Sequence, residues 1–193
     1  NKELIKYAMG GEVISSVSEH ADNVAPALLG GLVMVKSINP QHIINLPLLP
    51  DLFCFIINPK IQVKTSYSRE ILPAKIDMSL VTSQVSNFGG LIHSLHTRDY
   101  DLLKSSLKDS IVEQHRKKLI PKFDEVKDKC EELGALGCSI SGSGPSIFAI
   151  TRGEELAKKI EEEVTKIYQE TKIEFSTYIS KISSEGVSEI DSE

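Results

Sequence analysis

Four stretches of this chain concentrate residue types that could do chemistry. In His20-Ala21-Asp22-Asn23-Val24-Ala25-Pro26, an imidazole, a carboxylate and a carboxamide precede an apolar helical turn, Ala27-Leu28-Leu29, closed by Gly30-Gly31. Such a trio can hydrogen-bond a small polar ligand. Helix capping by Asp22 or Asn23 is the plainer account, contributing about 1 kcal/mol, although capping does not need all three. In Thr65-Ser66-Tyr67-Ser68-Arg69-Glu70-Ile71-Leu72-Pro73, Arg69 falls one helical turn after Thr65, so both can point the same way. A guanidinium forks onto a carboxylate with two parallel bonds. An exposed Arg69 paired with Glu70 or another acid is equally open.

The third stretch, Glu113-Gln114-His115-Arg116-Lys117-Lys118-Leu119-Ile120-Pro121, carries a basic run. Such runs are commonly solvated faces, and the residues alone do not single out Arg116 from Lys117 or Lys118. The fourth is Gly137-Cys138-Ser139-Ile140-Ser141-Gly142-Ser143-Gly144-Pro145-Ser146. Two glycines separated by one serine permit backbone conformations that other residues avoid, and can expose N–H groups to an anion. A tight hairpin turn would use the same residues. The stretch lacks the Gly-Lys-Ser/Thr of a phosphate-binding P-loop. Pro145 and a strand also follow where a dinucleotide-binding fingerprint would open a helix. His93 and His96 stand three apart on a helical pattern without a third ligand near in sequence, so no metal site is read there. Nucleophile-elbow and Cys-x-x-Cys motifs are absent from the sequence.

The elements that must position these groups follow from periodicity. Asn1–Ala8 reads as the end of a helix stopped by Gly10 and Gly11. A short helix over Val24–Leu29 and a strand over Leu32–Ser37 come next, then a loop carrying Pro40, Pro47 and Pro50. Leu52–Ile57 reads as a buried strand ended by Asn58-Pro59. Val81, Val85, Phe88, Ile92 and Leu95 step by four and three along a helix over Leu80–His96. A shorter helix follows over about Asp101–Ser110. Pro121 suits the first turn of a helix with Phe123, Val126, Cys130 and Leu133 inside, ended by Gly134. Cys138–Ile140 and Ser146–Ile150 read as a hairpin, Glu154–Gln169 as a helix, and Ile173 to Ile179 as a strand. Hairpins require antiparallel pairing, so the pattern predicts α+β with a mainly antiparallel sheet. The polar, acidic tail Ser183–Glu193 is expected to fray.

The 193 residues suit one large domain or two small ones. A formal net charge of −5 argues against a nucleic-acid surface but not against a small anionic substrate. Apolar runs fall far short of the roughly 18 residues that cross a bilayer, so no membrane partner is expected. Cys54, Cys130 and Cys138 lie among apolar neighbours and read as buried free thiols, which points to a reducing, cytoplasmic compartment.

Taken in order, the four stretches resemble the homoserine kinases of the GHMP small-molecule kinase superfamily. The closest matches are His20–Gly31, Arg69–Pro73, Arg116–Phe123 and Ser139–Pro145. The Ser-Gly-Ser-Gly-Pro run is similar to the third conserved motif of GHMP kinases generally. The His-Ala-Asp-Asn-Val-Ala-Pro run narrows the resemblance to homoserine kinases. The resemblance runs from about Leu4 to Ile182. It implies transfer of the γ-phosphoryl of ATP, with Mg2+, to the side-chain hydroxyl of L-homoserine, on the pathway to threonine. It implies that Arg69 and Arg116 clamp the substrate carboxylate and that Asn23 and Thr65 lie near the reacting hydroxyl. By the same resemblance His20 and Asp22 neighbour the substrate, and Gly142 and Gly144 close its side of the cleft. No general base and no metal ligand is implied in this stretch, and a homodimer is compatible with it.

The family also has a Gly-Ser-Ser loop that holds the ATP phosphates at a helix N-terminus. Residues 1–193 contain no such loop. The chain is therefore expected to be a C-terminal piece that begins after it, inactive alone, with ATP and Mg2+ bound mainly upstream. The implied architecture is a remnant of a ribosomal-S5-like N-terminal domain over residues 1–50 and a ferredoxin-like C-terminal domain over residues 51–193. Two other readings stand beside this one: another GHMP kinase, acting on mevalonate-pathway or sugar substrates, and a non-catalytic ferredoxin-like module that binds an amino acid.

Overall fold

The computed structural model describes residues 2–15, 21–39 and 41–189. They divide into two compact units, residues 1–49 with 182–193 and residues 50–181.

In the first unit, α1 (Lys2–Ser15) and α2 (Val24–Leu29) accompany an antiparallel hairpin of β1 (Leu32–Ser37) and β2 (His42–Leu46). Ile5, Met9, Ala21, Ala25 and Ile43 form its core. Three expectations are corrected here. Helix α1 runs through Gly10 and Gly11 rather than stopping at them; glycine inside a helix costs only about 1 kcal/mol, which the buried Ile5 and Met9 on the same helix offset. The proline-bearing loop contains strand β2, whose Ile43 pairs with Val35 and is buried. The tail does not fray over its described part. The Gly31 N–H donates to the Ser183 carbonyl at 2.7 Å, and the Val187 N–H to the Ala27 carbonyl at 3.1 Å. The backbones meet so closely that a Cβ on Gly30 would run into Glu185 and Gly186, a contact only glycine permits.

The second unit is built on a four-stranded antiparallel sheet of β3 (Leu52–Pro59), β4 (Gly137–Ile140), β5 (Ile147–Arg152) and β6 (Phe175–Lys181), in the order β4-β5-β3-β6. With α7 (Phe123–Leu133) after β3 and α8 (Glu154–Gln169) after β5, the path is the β-α-β-β-α-β of ferredoxin-like folds. In register, Phe55 stands beside Ala149 and Ile179, and Ala149 beside Cys138. That row packs against Phe123, Val126 and Cys130 of α7 and Ala157, Ile160, Val164 and Tyr168 of α8. The α+β, mainly antiparallel expectation holds. Cys130 and Cys138 are buried free thiols, and burial pushes the half-buried Cys54 thiol up to about 11.

Between β3 and α7 lie α3 (Thr65–Glu70), α4 (Met78–Thr97), α5 (Tyr100–Ser106), α6 (Glu113–Arg116) and a 3-10 turn, Lys117–Leu119. The apolar stripe expected on α4 is buried only at its C-terminal end. Leu95 is 2% exposed, but Val85 is 64% and Phe88 46% exposed. In the N-terminal half, polar Gln84 and Asn87 face the protein instead. Gln84 Oε1 accepts from the Ser110 N–H at 2.8 Å, and Asn87 Nδ2 donates to the Lys108 carbonyl at 3.2 Å. Periodicity located the helix; backbone groups needing partners in the 108–110 loop decided which face turns inward. Among the described residues no helix is long and apolar enough to cross a membrane.

Candidate functional site

Three of the four chemistry-bearing stretches meet within the second unit. Arg116, at the end of α6, donates from Nε to the Ser68 carbonyl at 3.1 Å and from Nη1 to the Gly142 carbonyl at 3.0 Å. Ser68, buried on α3 between Tyr67 and Arg69, donates from Oγ to the Ser143 carbonyl at 3.2 Å. Helix α3 and the Gly-rich turn are thus bonded directly and through Arg116. Guanidinium geometry makes this possible, since five N–H donors in one plane can serve two backbone carbonyls and still leave Nη2 for a ligand. The rest of the basic run behaves as a solvated face: Lys117 pairs with Asp124 at 2.8 Å and Lys118 is exposed. Structure therefore separates Arg116 from its neighbours, which the run alone could not do.

The turn between β4 and β5 owes its shape to its glycines. Gly142 and Gly144 have φ of 59° and 84°, values side-chain-bearing residues rarely adopt. The Gly144 N–H returns to the Ser141 carbonyl at 3.0 Å, and the Ser141 N–H to the Ser146 carbonyl at 2.8 Å. Asn58 Nδ2 donates to Ser146 Oγ at 2.6 Å, tying the turn to the end of β3. Gly142 and Ser143 offer N–H groups that donate to no acceptor among the described residues. Consecutive free N–H groups are donors suited to an anion. The stretch is both the tight hairpin and the exposed donor loop, so its two readings coexist.

Thr65 and Arg69 open and close the same exposed face of α3, one turn apart. Asp22 and Asn23 belong to the first unit, where both are exposed ahead of α2. Asn23 holds the N-cap position, but its φ of −93° and ψ of −41° are already helical and its side chain makes no cap bond. Capping therefore does not account for Asn23. His20 lies outside the described residues.

Sequence reasoning missed the groups that hold α6. Asp109 accepts from the N–H groups of Ile111, Val112 and Glu113 at 2.8, 2.7 and 3.2 Å. Glu113, 8% exposed, accepts from Ser139 Oγ at 2.6 Å and is ion-paired with Lys127. An acid three residues before Arg116 was visible, but nothing local marked it as buried. Among the described residues no group of three His, Cys, Asp or Glu side chains is placed to hold a metal ion.

Residues 91–170 match the family model described as GHMP kinases C terminal. Over nearly its whole length the chain is similar to homoserine kinases. The chain is 41% identical over 95% of its length to homoserine kinase of Chlorobium phaeobacteroides, of which it covers 58%. It is 37% identical over 93% of its length to homoserine kinase of Methanococcus vannielii, covering 60%. The crystal structure of homoserine kinase from Cytophaga hutchinsonii superposes with a TM-score of 0.92 at 44% identity, over 96% of this chain and 59% of that one. A mevalonate kinase from Staphylococcus aureus, 18% identical with a TM-score of 0.56 over 94% of this chain, shares the fold. The chain thus spans less than two thirds of the length of these homoserine kinases.

Proposed function

We propose that this chain supplies the substrate side of an ATP-dependent kinase that phosphorylates the side-chain hydroxyl of L-homoserine. The observation that carries the reading is Arg116, held between the Ser68 and Gly142 carbonyls with Nη2 left over. A fixed guanidinium beside a second arginine-bearing helix suits an α-carboxylate, and similarity to homoserine kinases supports homoserine as the amino acid.

In this reading Arg69 and Arg116 hold the carboxylate, and the unpartnered N–H groups of Gly142 and Ser143 face anionic oxygens. Gly142 and Gly144 shape the turn that carries them. Asn23 and Thr65 hydrogen-bond near the hydroxyl, and His20 and Asp22 adjoin the substrate; these four roles rest on resemblance. The hydroxyl oxygen attacks the γ-phosphorus of ATP, the bond to the β–γ bridging oxygen breaks, and ADP leaves with its electron pair. The hydroxyl proton passes to an oxygen of the transferring phosphoryl group and from there to water, with no residue assigned as general base. Such a reaction demands position and charge stabilisation more than covalent help. Mg2+ would supply charge neutralisation on the phosphates; the described residues form no cluster for it. A cytoplasmic location accords with the three free thiols.

The test expresses the whole open reading frame and follows ADP release with homoserine, mevalonate and galactose. Homoserine-dependent turnover is expected. Turnover only with another alcohol would replace this reading by another GHMP kinase, and homoserine binding without turnover would favour a binding module.

A further inference from the structure

We propose that Glu113 is the positioning residue of the Arg116 site, fixing α6 and through it the guanidinium. The inference rests on the reading of Arg116 as a carboxylate clamp. Helix α6 has only four residues, too few to hold a direction by itself, so tertiary contacts must set it. Those contacts converge on Glu113. One carboxylate oxygen accepts from Ser139 Oγ on β4 at 2.6 Å; the other is ion-paired with Lys127 on α7. The Lys127 ammonium in turn lies 6.0 Å from the centroid of the Phe123 ring, in the core helix.

Spacing makes the device specific. Glu113 and Arg116 are three apart on α6, and their partners Ser139 and Gly142 are three apart on the strand that leads into the Gly-rich turn. The two bonds are successive rungs between the same two segments. Breaking the inner rung leaves the end of α6 held by the guanidinium's own bonds to Gly142 and Ser68, which must then set its position unaided, and a misplacement near 1 Å at a positioning group costs about 10²-fold in rate. The inner rung is buried and cannot exchange its partners for water cheaply, so it has one arrangement. The outer rung, half in solvent, takes its geometry from it.

Kinetics on the whole expressed open reading frame test this with wild type, Glu113→Gln, Arg116→Ala and the double variant. Glu113→Gln should raise the homoserine KM about tenfold and leave the ATP KM within about twofold. In the Arg116→Ala background the same change should add less than about twofold, because the group it positions is gone. An unchanged homoserine KM in the single variant, or the full effect persisting in the double, overturns the proposal. Should Glu113→Gln not fold, Ser139→Ala removes the same rung and is judged by the same thresholds. A second readout needs no substrate. The Arg116 Nε–H NMR signal, identified by its loss in Arg116→Ala, should be protected from exchange in wild type and lose protection in Glu113→Gln. Retained protection overturns the positioning role. Absence of homoserine turnover in wild type would overturn the kinase reading instead, leaving this second readout to decide on Glu113.

Discussion

Arg116 Nη1 donates to the carbonyl of Gly142 at 3.0 Å, so a side chain from a four-residue helix braces the backbone of a turn 26 residues away. The same guanidinium reaches Ser68 through Nε. One residue therefore orients both the helix bearing Arg69 and the turn that offers free N–H groups.

Replacing Arg116 should separate substrate from nucleotide. Arg116→Ala is expected to cost about 2–4 kcal/mol of transition-state stabilisation, expressed mainly as a raised homoserine KM with the ATP KM little changed. Arg116→Lys should not restore it, because an ammonium cannot fork onto two carbonyls and a carboxylate together. Steady-state kinetics with each substrate varied in turn decides; equal effects on both KM values would remove the clamp role.

The two turn glycines should differ in stability effect. Gly142→Ala meets open space and has only its φ of 59° against it, about 1 kcal/mol. A Cβ on Gly144 would also press on Ile120 Cδ1 at 3.0 Å, adding about 1–3 kcal/mol of overpacking. Urea unfolding midpoints should fall further for Gly144→Ala than for Gly142→Ala. The reverse order would contradict the turn geometry.

Acid should weaken one tie between β3, α5 and β5. The Tyr100 hydroxyl donates to Asp51, and Arg152 Nε donates to it at 2.7 Å; both hold the Asp51 carboxyl below its ordinary value, Tyr100 the more. A carboxylate with a depressed folded-state pKa stabilises above the unfolded value, near 3.9, and loses that contribution as pH falls through the folded one. The pair is partly solvated, so Asp51→Asn should cost no more than about 1 kcal/mol at pH 7. The difference from wild type should shrink once pH drops beneath the unfolded value and vanish only beneath the lower folded one. A difference constant from pH 7 to pH 2 in denaturant titrations would refute the tie.

A polypeptide of residues 1–193 alone should neither bind ATP tightly nor phosphorylate homoserine, since its sequence holds no Gly-Ser-Ser phosphate loop. Calorimetry with ATP and a coupled ADP assay check this. Homoserine turnover by that polypeptide would show that other residues cradle the phosphates.

Much of the second unit was legible locally. The apolar run Leu52–Ile57 and the 3.6-residue period of α8 reflect burial, which composition records directly, although the strand runs on to Pro59. Strand β2 was not legible, because its short run sits between prolines and acquires order only by pairing with β1. The outward turn of Val85 and Phe88 was illegible too, since Gln84 and Asn87 gain backbone partners that lie more than 20 residues away.

For the candidate site the division is sharper. The sequence by itself determined which groups are present: arginines, a threonine hydroxyl, an asparagine carboxamide, and a turn whose backbone favours glycine. Those are properties of single residues and short spacings. Tertiary structure alone decided that Arg116, not Lys117 or Lys118, turns inward, and that Glu113 is buried beneath it. Both facts depend on Ser68, Ser139 and Gly142 arriving from distant parts of the chain, and hydrogen-bond partners brought together by folding leave no mark on local periodicity.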